Sequence, residues 1–462
     1  MKYSRSHVNC KTYAVPELRF EEQSLTSFSG LVVFQQLFAA LKLKERLRQC
    51  FTFNGGKIYK QSTLFLQLII HILLGFRELR DSRVYRGDPL VQRILGLKRL
   101  PDVGTLSRML KDISPKCVDQ ARCLLRDMVL DRLKQMKPTR ITLDFDGSVQ
   151  STRRHAEGTA VGFNKKKKGA RSYYPLFCTV AQTGQVLDFL HRPGNVHDSN
   201  GASVFIMHCL ETVHFAIPGI KIEIRMDSAF FNDEVVRMLR VWGVEFTISV
   251  PFERFPKLKR LIEERRRWHR FNKQVSYFEH NWKPECWERT YRFLFIRTRT
   301  KLQNKAPVQL DLFVPYQYGY EFKVIITNKT ISTKKVVAFH DGRGAQENII
   351  GELKSNCQMD HIPVRTRNGN QLYLLATLFA HNLARELQMA TAPPVRRLMD
   401  NRAALWCFEK LQTLRNTWLH RAGRLNHPNG KLTLTISANK FIKQRLLHLL
   451  DGIKTVAART AA

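Results

Sequence analysis

Acidic residues are scarce in this 462-residue chain. Only 39 Asp and Glu stand against 76 Lys and Arg, a formal net charge of +37 at pH 7. An ordinary near-neutral enzyme is disfavoured, because self-repulsion of this size persists mainly in proteins whose partner is a polyanion. Lys and Arg neutralise phosphates and release their counterions, so nucleic acid is the first partner to consider. Long apolar runs are also missing. The most apolar stretch, Leu64–Phe76, includes Gln67 and His71, is too short to span a bilayer and reads as a buried helix. The first residues, Met1 to Phe20, lack the apolar core of a signal peptide. A membrane surface reads an amphipathic helix or a polybasic tail, whereas here the positive charge runs from Lys2 to Arg459. No CxxC pair occurs among the nine cysteines, and the closest two, Cys117 and Cys123, fall in a helical stretch. A disulfide framework and a zinc site are thereby excluded, and reduced thiols of a cytosolic protein are expected. Internal repeats are absent. A hydrophobic share of 44% excludes a wholly disordered chain, and the length allows about two to four domains.

Residues 1–135 carry apolar residues at helical spacing in Gly30–Leu47, Ser62–Arg77, Thr105–Ile113 and Val118–Met136. Pro101-Asp102 before Gly104-Thr105 marks a helix start. A basic helical region of this kind either binds DNA or simply packs its helices. From Pro138 the texture changes. Residues 136–250 hold strand-like runs at Ile141–Asp146, Tyr174–Ala181, Val186–His191, Ile222–Ile224 and Val244–Val250, with a helix at Asp233–Val241. This order predicts an α/β fold, a mixed sheet with helices packed on it. Residues 251–330 read as a β-rich insertion, with Tyr291–Arg297 and Phe322–Thr327 as strands behind a dense basic stretch. Within 331–390 a helix begins near Gly344, and Gln371–Met389 and Arg402–Leu414 extend helical periodicity into a C-terminal region, 391–462.

The strand at 141–146 places Asp144 and Asp146 on one face and turns Leu143 and Phe145 toward a core. Two acids side by side on an apolar strand repel each other unless something cationic sits there. Asp227 ends another apolar strand. On a helix from Arg343, the residues Arg343, Glu347 and Lys354 share one side, opposite Ile349 and Leu353. A surface helix with ordinary charge pairs explains that pattern equally well by itself. Two strand-borne aspartates and one helix-borne glutamate in a strongly cationic chain supply the hard oxygen ligands that Mg²⁺ prefers.

Asp146-Gly-Ser148, Arg225-Met-Asp227-Ser228 and Arg343-x3-Glu347-x6-Lys354 resemble the three signature blocks of DDE transposases from bacterial insertion sequences. The last block is similar to the family's Y-x2-R-x3-E-x6-K pattern, with His340 in place of the Tyr. Glu157–Asn164 and Arg192–Asp198 resemble the group 1 subset, and the likeness runs from about residue 100 to 390. The resemblance implies an RNase H-like mixed sheet flanked by helices. It also implies Mg²⁺, or Mn²⁺ in its place, held by Asp146, Asp227 and Glu347 for strand cleavage and transfer by two-metal phosphoryl transfer. The family's first Asp precedes a Ser or Thr by two positions, which favours Asp146 over Asp144. Arg343 and Lys354 would then contact phosphates, and so would the loop run Lys165, Lys166, Lys167 and Lys168. His197 and Asp198 read as a turn, and Trp268, Trp282 and Trp287 as core residues or as platforms for an unpaired base. The partners implied are duplex DNA (terminal inverted repeats and target) and a second copy of the chain, in a bacterial cytoplasm and without membrane. A stand-alone nuclease of the same fold and an inactive DNA-binding relative are the alternatives.

Overall fold

The computed structural model describes residues 17–19, 21, 23–51, 58–153, 155–162, 164, 167–196, 200–299 and 319–461, with side chains as far as 454. Its centre is a nine-stranded sheet built from β1 (Arg140–Gly147), β2 (Leu176–Val180), β3 (Gln185–Leu190), β4 (Lys221–Met226), β5 (Glu245–Val250), β6 (His269–Arg270), β7 (Val275–Trp282), β8 (Tyr291–Arg299) and β9 (Tyr320–Thr327). The spatial order is β6-β7-β8-β9-β5-β4-β1-β2-β3. Strands β1, β4 and β5 run parallel to their neighbours in that trio, and every other pairing is antiparallel. The five strands from β3 to β5 form the RNase H-like sheet that the sequence led us to expect. The strands within 251–330 prolong the same sheet, through β9 paired with β5.

Helices α1 (Leu31–Ala40), α2 (Leu43–Cys50), α3 (Gln61–Leu73), α4 (Pro89–Leu95), α5 (Val103–Asp112) and α6 (Pro115–Met136) precede the sheet. Later come α7 (Ala202–Ala216), α8 (Asp233–Val241), α9 (Pro256–Glu263), α10 (Thr333–Asp341), α11 (Gly344–Asn356), α12 (Arg367–Thr391), the single turn α13 (Leu411–Leu414) and α14 (Lys440–Ala461). Alternation in β1 divides the layers. Ile141, Leu143 and Phe145 are buried with α7 and α8, Phe145 meeting Phe205 edge-on at 5.9 Å. On the other side α3 and α12 lie in a core shared with the remaining N-terminal helices. All of α3 except Thr63 is buried, as expected of a helix that is apolar all round. Asn382 of α12 holds both the Val186 N–H (2.9 Å) and the Val186 carbonyl (2.8 Å), which covers the outer edge of β3 with side-chain amide bonds.

Two elements differ from the sequence expectation. Thr333–Asp341 forms α10, although its signal is only Val336, Val337 and His340 at helical spacing. Arg402–Leu414 is helical only in its last turn. There the Leu405 N–H donates to Gln182 (2.9 Å) and the Trp406 indole to Ala392 (2.9 Å), so tertiary partners replace helical bonds. The C-terminal region also contributes two strands, Gly423–Asn426, which pairs with Leu25–Thr26, and Thr433–Ile436, which pairs with Gly423–Asn426. Trp282 and Trp287 are buried and Trp268 packs against Phe278, so these rings belong to the core. Among the described residues every cysteine is a free thiol and no helix is long and apolar enough to cross a membrane.

Candidate active site

The parallel pairing of β1 and β4 decides where the aspartates meet. Phe145 lies opposite Met226; Asp146 is the next residue of β1, and Asp227 the first residue past β4. Both are half-buried at the C-terminal ends of the central strands. The Asp227 carboxylate also accepts from the Ala229 N–H at 3.0 Å, which fixes the turn that leaves β4.

One register position behind them, Asp144 lies directly opposite Arg225. Both are buried, and the guanidinium grips the carboxylate with two bonds, Nε to Oδ1 at 2.6 Å and Nη2 to Oδ2 at 2.7 Å. Burial raises the Asp144 carboxyl above its ordinary range, and Arg225 opposes that shift. This pair occupies Asp144 with a structural task and leaves Asp146 as the acid of β1 nearer the surface. The remaining Arg225 nitrogen, Nη1, donates to the carbonyls of Phe339 (2.9 Å) and Asn401 (2.7 Å). Phe339 belongs to α10 and Asn401 to the strap that follows α12, so one guanidinium joins β1, β4, α10 and that strap.

Gly342 separates α10 from α11 at this contact. A Cβ there would stand 1.9 Å from the Asn401 carbonyl and 2.2 Å from Arg225 Nη1, so only glycine lets the corner close. Four residues on, the buried Gln346 donates to the Asp144 carbonyl at 2.8 Å and docks α11 on β1. That contact sets the direction of Arg343 and Glu347. Arg343 lies 3.6 Å from Asp146 and 3.2 Å from Glu347, a cation between the strand acid and the helix acid. Ile349, Ile350 and Leu353 are buried, and Lys354 is half-buried. The amphipathic face expected for this helix is present. Among the described residues no three His, Cys, Asp or Glu stand close enough to hold a metal ion as a ready-made cluster. Asp146 and Asp227 are neighbours, while Glu347 joins them through Arg343.

Glu223 extends the same face of β4 inward. It is fully buried and takes Arg140 (2.7 Å), Lys329 (2.5 Å) and Arg402 (2.8 and 3.1 Å). Burial raises its pKa, but hydrogen bonds from Arg402 and Lys329 outweigh that and bring it to about 2. Sequence reasoning missed the roles of Glu223 and Arg225. Their signal was available, since Lys221-Ile-Glu223-Ile-Arg225-Met-Asp227 alternates charge and apolar residues just as Asp144-Phe-Asp146 does.

The other blocks pack on each other and on α12. A Cβ on Gly162 would stand 2.2 Å from the Gly194 carbonyl, so the chain at Gly162 closes on Gly194 and Asn195. Glu157 is tied to the start of α12 by an Arg367 N–H bond of 3.0 Å. Lys167 and Lys168 are exposed in the turn beyond Asn164, whereas Lys165, Lys166, His197 and Asp198 lie outside the described residues. His340 is buried between Ser249 (2.9 Å) and Thr247 (2.9 Å), its pKa held well below the ordinary value by burial, and it anchors α10 to β5.

A family model described as transposase DDE domain group 1 matches residues 10–458. Among solved structures, the piggyBac transposase synaptic complex with hairpin DNA is similar at 10% identity, over 92% of this chain and 85% of that one, with a TM-score of 0.42. The Mos1 transposase paired-end complex with left transposon end is similar at 10% identity over 42% and 59%, with a TM-score of 0.17. The Mos1 mariner paired end complex with Mn is similar at 11% identity over 47% and 72%, also at 0.17. No curated protein matches.

Proposed function

This chain belongs to transposase DDE domain group 1, and we propose that it is a bacterial insertion-sequence transposase that binds the ends of its element as a homodimer. On this reading it cuts and joins DNA strands at Asp146, Asp227 and Glu347 with Mg²⁺. The observation that carries the reading is the placement of Asp146 and Asp227 at one end of the sheet. Two aspartates stand at the C-terminal ends of adjacent parallel strands, and a glutamate is linked to one of them by Arg343. The donor set fits a hard divalent cation, because all three groups are carboxylates, no thiol or imidazole is needed, and the site is half open to solvent. When bound there, the metal supplies Lewis acidity to the phosphoryl oxygens and lowers the pKa of the attacking water or 3′-OH.

The chain's own residues do the rest. Asp146 and Asp227 present oxygens from a rigid sheet, held in register by the Asp144–Arg225 pair. Arg343, the cation paired with Asp146 and Glu347, holds a non-bridging oxygen of the scissile phosphate by charge-assisted bonds. Lys354 continues that contact along α11, and Lys165–Lys168 touch the backbone beyond the site without reading sequence. Helices α1 to α6 add a basic surface for DNA. The reaction uses no protein nucleophile, in keeping with carboxylates and cations as the groups that line the site.

The test is single-turnover cleavage of element-end DNA with Mg²⁺. Asp227→Ala should abolish cutting while duplex binding stays near that of the unaltered protein. Cutting at an undiminished rate by a folded variant would refute the assignment, and cleavage without any joined product would make the protein a nuclease.

A further inference from the structure

The helical layer holds a second basic feature, away from the carboxylates. A cleft of about 300 Å³ opens between α2, the start of α3 and the end of α4, floored by Leu47 and Leu66 and rimmed by Lys44, Arg48 and Lys60. The first turn of α3 faces it. Lys60 at the N-cap offers no side-chain cap, and among the described residues nothing accepts from the backbone N–H of Ser62. Ser62 is only 7% exposed and lines the cleft, and among the described residues its hydroxyl has no hydrogen-bond partner. That hydroxyl is free to bond a ligand seated in the cleft. Among the described residues none of the three rim cations is paired with a carboxylate. Burial and the nearby Arg48 lower the Lys44 pKa, a shift that a bound anion would relieve.

A helix N-terminus, an unsatisfied hydroxyl, an ammonium and a guanidinium together call for a multi-oxygen anion. An adjoining cleft, which shares Gly96 and Leu97, adds Arg93 and Lys98, so the positive surface continues as a track rather than ending in a closed pocket. A track suits a chain of phosphates. We propose that this cleft seats a backbone phosphate of duplex DNA, with the Ser62 hydroxyl and the first turn of α3 as donors and Lys44 and Arg48 as counter-charges. The proposal rests on the reading that the protein binds DNA, and adds where.

The test uses the full chain and a mixed-sequence 30-bp duplex, about three helical turns, with affinity measured by fluorescence anisotropy across a salt series. Lys44→Gln with Arg48→Gln should make the slope of log K against log salt shallower by about 1.8, roughly 0.9 for each lost contact. Ser62→Asp separates binding from folding. A carboxylate in the first turn favours the helix dipole, so the melting temperature should hold or rise, while duplex affinity falls severalfold. Unchanged slope and affinity in folded variants would overturn the proposal. So would calorimetric binding of inorganic phosphate that Ser62→Asp abolishes with duplex affinity intact, which would make the cleft a free-anion site. If the unaltered protein binds no duplex in a salt-dependent way, the DNA-binding reading falls and takes this proposal with it.

Discussion

Replacing Arg225 by Met tests whether one buried guanidinium holds the site together. In the native protein it makes four hydrogen bonds at 2.6–2.9 Å, two to the Asp144 carboxylate and two to the carbonyls of Phe339 and Asn401. Both members of the ion pair are essentially buried, with side chains 0% and 2% exposed, so solvent screening scarcely reduces the effect. Methionine fills much of the volume but leaves Asp144 charged and alone. Breaking a buried pair from one side costs about 3–5 kcal/mol, a large share of a total stability of about 5–15 kcal/mol. Urea unfolding followed by fluorescence should show this as a lower midpoint. Adding Asp144→Leu removes the stranded charge, so the double variant should recover at least about 2 kcal/mol, the remaining deficit coming from the two carbonyls left without a donor. The pH dependence has a definite sign. In the single variant the Asp144 carboxyl titrates still higher in the folded chain, because burial is no longer opposed by Arg225. The folded state then binds the extra proton, and the deficit should shrink as pH falls from the raised pKa toward the ordinary carboxylate range. A single variant within about 1 kcal/mol of the native protein, or a double variant no better than the single one, would refute the reasoning.

Glu223→Gln should cost about 3 kcal/mol at pH 7, the worth of a pKa lowered from 4.5 to about 2. Since that carboxyl is depressed, its contribution is complete above pH 4.5 and lost on acidification toward pH 2, and unfolding at pH 7 and pH 3 should show the two proteins converging. Gly342→Ala should destabilise by about 1–3 kcal/mol, because its methyl would overlap the Asn401 carbonyl and Arg225. Gly344→Ala two residues away, with nothing within 4 Å of the new carbon, should be neutral or mildly stabilising in the same urea assay. On the proposed function, Lys354→Ala should slow cleavage and regain part of the rate at low ionic strength, where the remaining cations act over a longer Debye length. Glu347→Gln should stay inactive at every salt concentration. Equal salt behaviour of the two variants would show that the two side chains do not play separate roles.

Much of the fold was legible because local periodicity and burial agree over most of the chain. The alternation in Ile141–Asp146 is enough to send Leu143 and Phe145 to one layer and both aspartates to the other, and the apolar density of Leu64–Leu73 is enough to bury α3. The three acidic blocks could likewise be picked out from residue type and order, before any geometry. Other features depended on partners far away in sequence. Asp144 and Asp146 have the same alternation and nearly the same neighbours, and only the register of β1 against β4 gives one of them to Arg225 and leaves the other beside Asp227. Helical spacing in Arg402–Leu414 lost to bonds offered by Gln182 and Ala392, and His340 became a packing residue because β5 places Thr247 and Ser249 against it. Spacing along one chain reports which face a side chain takes. Which charges are neutralised, and which remain for chemistry, is set by strand register and helix docking, because Coulomb and hydrogen-bond energies depend on distances of a few ångströms across the sheet.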